Sequence, residues 1–171
     1  MKQAAGILGL ALLIGGCASA PLERSNYQLT GLADGEVALP CEQGFPDVRV
    51  GRLLNGDGLV LQTSAVNWHQ AHEHKWAVPL REQLVQTLLQ DQKLRQWLCA
   101  NDGALVMQDF FGTLDNQARV AGYWQWLDAN GNRQTRVFEQ QKVLAADGYA
   151  ALVHALSKAW QQVLEEQKAQ L

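Results

Sequence analysis

Between Ala104 and Val143 the chain reads as three runs of strand separated by two turns, and this pattern limits the fold more than any other stretch. A period of two puts successive side chains on opposite faces of a strand. Ala104 to Leu114 forms the first run, with Leu105, Val106, Met107, Phe110 and Phe111. Asp115-Asn116-Gln117-Ala118 turns the chain. Arg119 to Asp128 then returns it with Val120, Gly122, Trp124 and Trp126 on one face and Ala121, Tyr123, Gln125 and Leu127 on the other. Asn130-Gly131 is the strongest short hairpin signal, because both residues tolerate the positive φ of a tight turn. The third run, about Arg133 to Val143, sets Thr135, Val137 and Glu139 against Gln134, Arg136 and Phe138. So few apolar residues imply one largely solvated face. The expectation is a three-stranded meander.

Helices flank it. Leu80, Leu84 and Leu88 recur every four residues, and Val85 and Leu89 widen the stripe. Pro79 suits the first helical position, and this helix should run to about Leu98, before Asn101-Asp102-Gly103. Tyr149, Leu152, Val153, Leu156, Trp160, Val163 and Leu164 hold the same spacing, with Asp147 placed to cap that helix. Upstream, Tyr27-Gln28-Leu29-Thr30 could open the body as an edge strand, and Leu32 to Asp47 reads as a Gly- and Pro-rich loop. Val48 to Leu53 alternates as a half-buried strand. Asn55-Gly56-Asp57-Gly58 is a strong turn signal, and Leu59 to Thr63 reads as the partner of Val48 to Leu53 in a hairpin. The class that results is α+β, a mixed and largely antiparallel sheet with two amphipathic helices packed on one face.

The N-terminus sets the compartment. Lys2 precedes a short apolar run, Ile7 to Ile14, which ends on Ile14-Gly15-Gly16-Cys17. The run is too short to span a bilayer and reads as a cleaved bacterial lipoprotein signal peptide over residues 1–16. Cys17 becomes the mature N-terminus and carries the acyl chains (palmitate among them). Two or more chains anchor durably where one does not. Residues 17–26 read as a lipidated tether, and 27–171 as a single periplasmic domain. Ala18, rather than aspartate, follows the cysteine, and by the sorting rule of enteric lipoproteins this sends the protein to the periplasmic face of the outer membrane. The whole chain has 171 residues and a formal charge of −3. Its basic residues are scattered, so nothing suggests nucleic acid. No later apolar stretch is long enough to cross a membrane.

Three places could carry chemistry. In Trp68 to Trp76, His72 and His74 are two apart and would point the same way on a strand, with His69 joining from a loop and Glu73 as a fourth ligand for zinc or copper. The bland alternative is a polar loop between strand and helix. The spacing matches no ligand motif, so no metal or other cofactor is assigned. Cys41 and Cys99 are an even pair once Cys17 is acylated, and an oxidising compartment favours a disulfide between them. Two free thiols or a redox couple are the rivals, although there is no C-x-x-C. Tyr123, Trp124, Trp126, Phe110 and Phe111 are either core beneath the helices or an exposed rim for lipid chains or a partner helix. Ser157 and His154 lie three apart on one helix, but nothing oriented supports catalysis, and no catalytic residue is assigned.

The order of several phrases resembles the PqiC-like ABC-type transport auxiliary lipoprotein family, subunits of membrane-integrity transporters. These are Asn26-Tyr27-Gln28-Leu29 after the cysteine, Gln62-Thr63-Ser64 ending a strand, Trp76 to Leu84 opening a helix, Val120-Ala121-Gly122-Tyr123-Trp124 and Asp147-Gly148-Tyr149. The short connection from the first helix to the meander, and Cys41 with Cys99, depart from that pattern. The resemblance implies a non-enzymatic subunit, anchored in the outer membrane by its acyl chains. It would dock a PqiB-like MCE-domain protein assembly and, through it, an inner-membrane component of a lipid transport system. It also leaves room for a homo-oligomeric ring. The partner surface would comprise His69, His72 and His74 with the turn residues Asp115, Asn116 and Asn130. Two other roles remain open: a structural lipoprotein of a different outer-membrane assembly machine, and a periplasmic metal-binding lipoprotein.

Overall fold

The computed structural model describes residues 24–32, Cys41 and 46–171. The signal peptide, Cys17 and most of the tether lie outside the described residues, as does most of the segment read as a loop from Leu32 to Asp47. One seven-stranded sheet carries three helices, and a single cluster of buried side chains joins them. The strands are β1 (Ser25–Tyr27), β2 (Asp47–Val50), β3 (Gly58–Gln62), β4 (Trp68–Trp76), β5 (Ala104–Gly112), β6 (Gln117–Leu127) and β7 (Arg133–Val143). The helices are α1 (Leu80–Gln90), α2 (Gln92–Ala100) and α3 (Tyr149–Lys168).

The meander forms as its alternation demands. β5 pairs antiparallel with β6, and β6 pairs antiparallel with β7 from Gln117↔Val143 to Leu127↔Arg133. Trp124 is 1% exposed and packs on Trp160 of α3, with ring centroids 6.1 Å apart, and on Trp97 of α2. The aromatic cluster is therefore core rather than rim. Phe110 and Phe111 are buried with it, while Tyr123 and Trp126 are half-buried. The other face of β7 is open, and Val137 on it is 79% exposed.

Five expectations are corrected. The first helix is two helices, so three rather than two lie against the sheet. The chain breaks at Asp91, whose extended backbone (φ −88°, ψ 104°) stops α1 and whose carboxylate accepts from the Leu94 N–H to start α2. Pro79 stands just before the first turn of α1, at the cap position. The segments around Val48 and Leu59 do not form a hairpin. β2 pairs parallel with the first half of β5, and β3 rejoins β5 in parallel at Leu61↔Gly112. Between them the Arg52–Leu54 turn and Asn55 to Asp57 make an excursion, after which β3 pairs with β4. β1 lies two residues earlier than expected, inside the stretch read as tether, and pairs parallel with β4. Its expected continuation is diverted to the helices: the Leu29 N–H donates to the Gln83 side chain and the Thr30 N–H to Ser157. Finally, Gly148 (φ 100°) rather than Asp147 precedes α3, and no side chain caps that end.

Candidate functional site

The histidine segment is a strand, β4, and not a loop. It was hidden because only Ala71 and Trp76 of its nine residues are buried, and because a register shift opposite Gly58 and Val60 disturbs its alternation. The structure splits the three imidazoles. His69 and His72 meet edge to face, with centroids 6.3 Å apart. His74 instead stacks on Tyr149 at 3.9 Å and 19°, with its Nδ1 3.0 Å from the Tyr27 hydroxyl. Glu73 is engaged by Arg24 at 3.3 Å. Among the described residues no group of three or more His, Cys, Asp or Glu side chains is arranged to hold a metal ion. His74 thus ties β1, β4 and the start of α3 together. Burial pushes the Tyr149 hydroxyl above its ordinary range.

The two meander turns lie at opposite ends of the sheet, so Asp115 and Asn116 cannot share a patch with Asn130. In the first turn the Thr113 hydroxyl donates to Asp115, holding its carboxyl below the usual range, and Gln117 donates to the same group. Asn116 takes φ 58°. In the second, Asp128 accepts from the backbone N–H groups of Asn130 and Asn132, both at 2.9 Å, and from the Gln134 amide. The Asn132 N–H is the main reason its carboxyl is held low. Asn130 is exposed beside Gly131 at φ 79°. The organising role of Asp128 was missed, although an acid just before Asn-Gly is a recognisable signal of this kind.

Elsewhere the polar groups serve the fold. Ser157 is 1% exposed and its hydroxyl donates to the Val153 carbonyl, whereas His154 is exposed, so they form no nucleophile–base pair. A cavity of about 230 Å³ is lined by Thr30, Thr87, Asp91, Trp160, Glu165 and Lys168 among others. Its charges answer one another, with Lys168 Nζ 2.9 Å from Asp91 and 2.6 Å from Glu165. Cys41 and Cys99 are joined as a disulfide with Cα atoms 5.4 Å apart, which ties Cys41 to α2.

The described residues thus form a mixed sheet with helices on one face and a hydrogen-bonded turn at each end of the meander. Residues 43–166 match the family model for the ABC-type transport auxiliary lipoprotein component, and the chain belongs to that family. The intermembrane transport lipoproteins PqiC of Escherichia coli and of Shigella flexneri are each 31% identical to it over 166 residues, covering 89% of this chain and 88% of theirs. Among solved structures, an uncharacterized protein at 26% identity superposes with a TM-score of 0.69, covering 86% of this chain and 98% of that one. A protein from Xanthomonas campestris shares the fold at 14% identity and TM-score 0.57, covering 78% of this chain and 89% of its own. The chain is thus an auxiliary component of a membrane transport system, and as a lipoprotein it is membrane-associated. No helix among the described residues is long and apolar enough to cross a membrane.

Proposed function

We propose that this protein is an outer-membrane lipoprotein, held at the periplasmic face by acyl chains on Cys17, that docks the MCE-domain assembly of a lipid transport system and catalyses no reaction. The observation that carries the reading is the end-to-end likeness to PqiC, a protein named for intermembrane transport. The geometry is in keeping with it, because the Ser157 hydroxyl is spent on the Val153 carbonyl and the imidazoles of β4 are divided. What remains available for work is surface. The candidate patches are the β4 segment with His69 and His72, the turn at Asp115 and Asn116, and the turn at Asn130.

The test is capture of the lipoprotein by the MCE-domain protein, followed by charge substitutions in each patch. Substitutions in the working patch should weaken capture several-fold and leave the thermal midpoint in place, since exposed changes usually move stability by no more than about 0.5 kcal/mol. Failure to bind any MCE-domain protein would sink the docking assignment. Capture by a β-barrel protein instead would favour a role in another outer-membrane machine.

A further inference from the structure

We propose that one end of the sheet, carrying Val66, Trp68, Leu114 and Val143, seats on the lipid surface into which the acyl anchor inserts. This rests on the lipidation of Cys17 proposed above. The strand register brings the four residues to one end. β3 and β5 run in the same direction and meet at Leu61↔Gly112, so the β3–β4 connection (63–67) and the β5–β6 turn (113–116) emerge side by side. Val143 pairs with Gln117, and the Leu144 N–H donates to the Asn116 carbonyl, which adds the end of β7. Trp68 begins β4 opposite Gln62 and lies edge-on to Phe111 at 4.5 Å. From β4 to β7 the rim spans about four strand spacings, roughly 19 Å.

Seven large apolar side chains are exposed among the described residues, and four of them are these: Val66 at 82%, Val143 at 73%, Leu114 at 56% and Trp68 at 41%. They are interleaved with Ser64, Asn67 and Asn116, so short polar side chains lie between the apolar tips. Apolar tips, a tryptophan and short polar residues suit the headgroup boundary of a bilayer. Lys142 and Lys158 line the shelf beside Val143, where their stems can lie along apolar surface and their ammonium groups reach lipid phosphates. Two acids stand against these cations, Asp115, which keeps its charge within its own turn, and the exposed Asp147 after β7.

The tether selects lipid as the occupant. β1 runs parallel to β4, with Ser25 beside His74 and Tyr27 beside Trp76, and Arg24 pairs with Glu73. β1 therefore has its N-terminal end, with Arg24, on the side nearer Trp68. Six residues lie between Cys17 and Arg24, and the seven steps from one to the other reach at most about 25 Å when extended. Trp68 stands five residues up the strand from Glu73, about 17 Å. A short leash tied on the side of the apolar end draws that end, rather than the opposite one, against the membrane.

The test uses the full acylated lipoprotein in vesicles of phosphatidylethanolamine and phosphatidylglycerol that contain nitroxide-labelled lipid. A fluorophore is attached at Val66→Cys or Leu114→Cys, with Val137→Cys as the exposed control on the open face. Flotation with the vesicles reports the anchor separately. The expected result is loss of most of the fluorescence at positions 66 and 114, and none at 137, in protein that floats. Floating protein with unquenched labels at 66 and 114 would overturn the inference and leave the anchor standing. Protein that does not float would remove the anchor and the inference together. Shielding of these labels from aqueous iodide at high protein concentration without vesicles, with no lipid quenching, would reassign the rim to contacts between copies.

Discussion

Gln83 shows what a single residue does for the attachment of the N-terminal segment. It has no exposed surface, yet its side chain accepts from the Leu29 N–H at 2.8 Å and donates to the Val78 carbonyl at 2.6 Å. Gln83→Leu would keep the volume, leave the Leu29 N–H buried without a partner and take the donor from the half-buried Val78 carbonyl, at a cost of about 1–3 kcal/mol. Denaturant midpoints should fall, and the Leu29 amide should exchange faster than amides of the meander; unchanged exchange at Leu29 would show that another group holds it. Gly58 is constrained differently. A methyl group there would lie 2.2 Å from the Ala71 carbonyl oxygen, so Gly58→Ala should cost about 1–3 kcal/mol in thermal unfolding. Neither role was legible in the sequence. A glutamine in a helical pattern reads as solvated face, and the glycine reads as one more turn residue. Alternation placed Trp124 and Trp126 on one face but left core and exposed rim both open, and it is the packing of α2 and α3 that makes Trp124 core.

The elements were legible where pairing is local. The β5–β6–β7 meander follows from alternation and two turns, each partner being the next run along the chain. The parallel pairings of β1 with β4 and β2 with β5 have no such signal, because Asn55-Gly56-Asp57-Gly58 marks a turn without saying which strand comes next to which. The break between α1 and α2 was legible in principle: Asp91 is a good cap set inside a leucine repeat that a period count reads straight through. Burial pulls the Asp91 carboxyl upward, but the Leu94 N–H and the Lys168 ammonium outweigh it, so the group is held below the usual 3.8. A carboxylate with a depressed folded pKa stabilises above its unfolded value and loses that contribution as pH falls through the folded one. Stability should therefore decline below about pH 4, and Asp91→Asn, which keeps a cap but not the charge, should flatten that decline. Asp91→Ala should cost about 1 kcal/mol at neutral pH through the lost cap. A pH series of denaturation midpoints on the three proteins checks both, and parallel profiles for wild type and Asp91→Asn would remove the ion pair from the account.

At the scale of the whole molecule, the chain is tied and polarised by features far apart in sequence. The Cys41–Cys99 bridge closes a separation of 58 residues, which in the chain-entropy model stabilises by about 4 kcal/mol. Non-reducing peptide mapping of periplasmic protein should recover the linked pair, and reduction should lower the thermal midpoint; ready alkylation of both without reductant would contradict it. The polarity of the sheet matters more for function. One end carries the apolar rim, and β1 has its N-terminal end on that side. The opposite end carries the Asp128-organised turn with exposed Asn130, Asn132 and Arg133. On the proposed reading, in which the apolar end is seated on the outer membrane, an assembly that comes from the inner membrane would meet this second end. The sequence could nominate Asp115, Asn116 and Asn130 together because all sit in turns, but strand direction, which separates them, is a property of the assembled sheet. Asn130→Glu combined with Arg133→Glu should weaken capture by the MCE-domain protein several-fold without changing vesicle flotation. Asp115→Asn should leave capture unchanged. The reverse pattern, with capture lost at Asp115 and kept at Asn130 and Arg133, would turn the molecule over and place its partner at the apolar end.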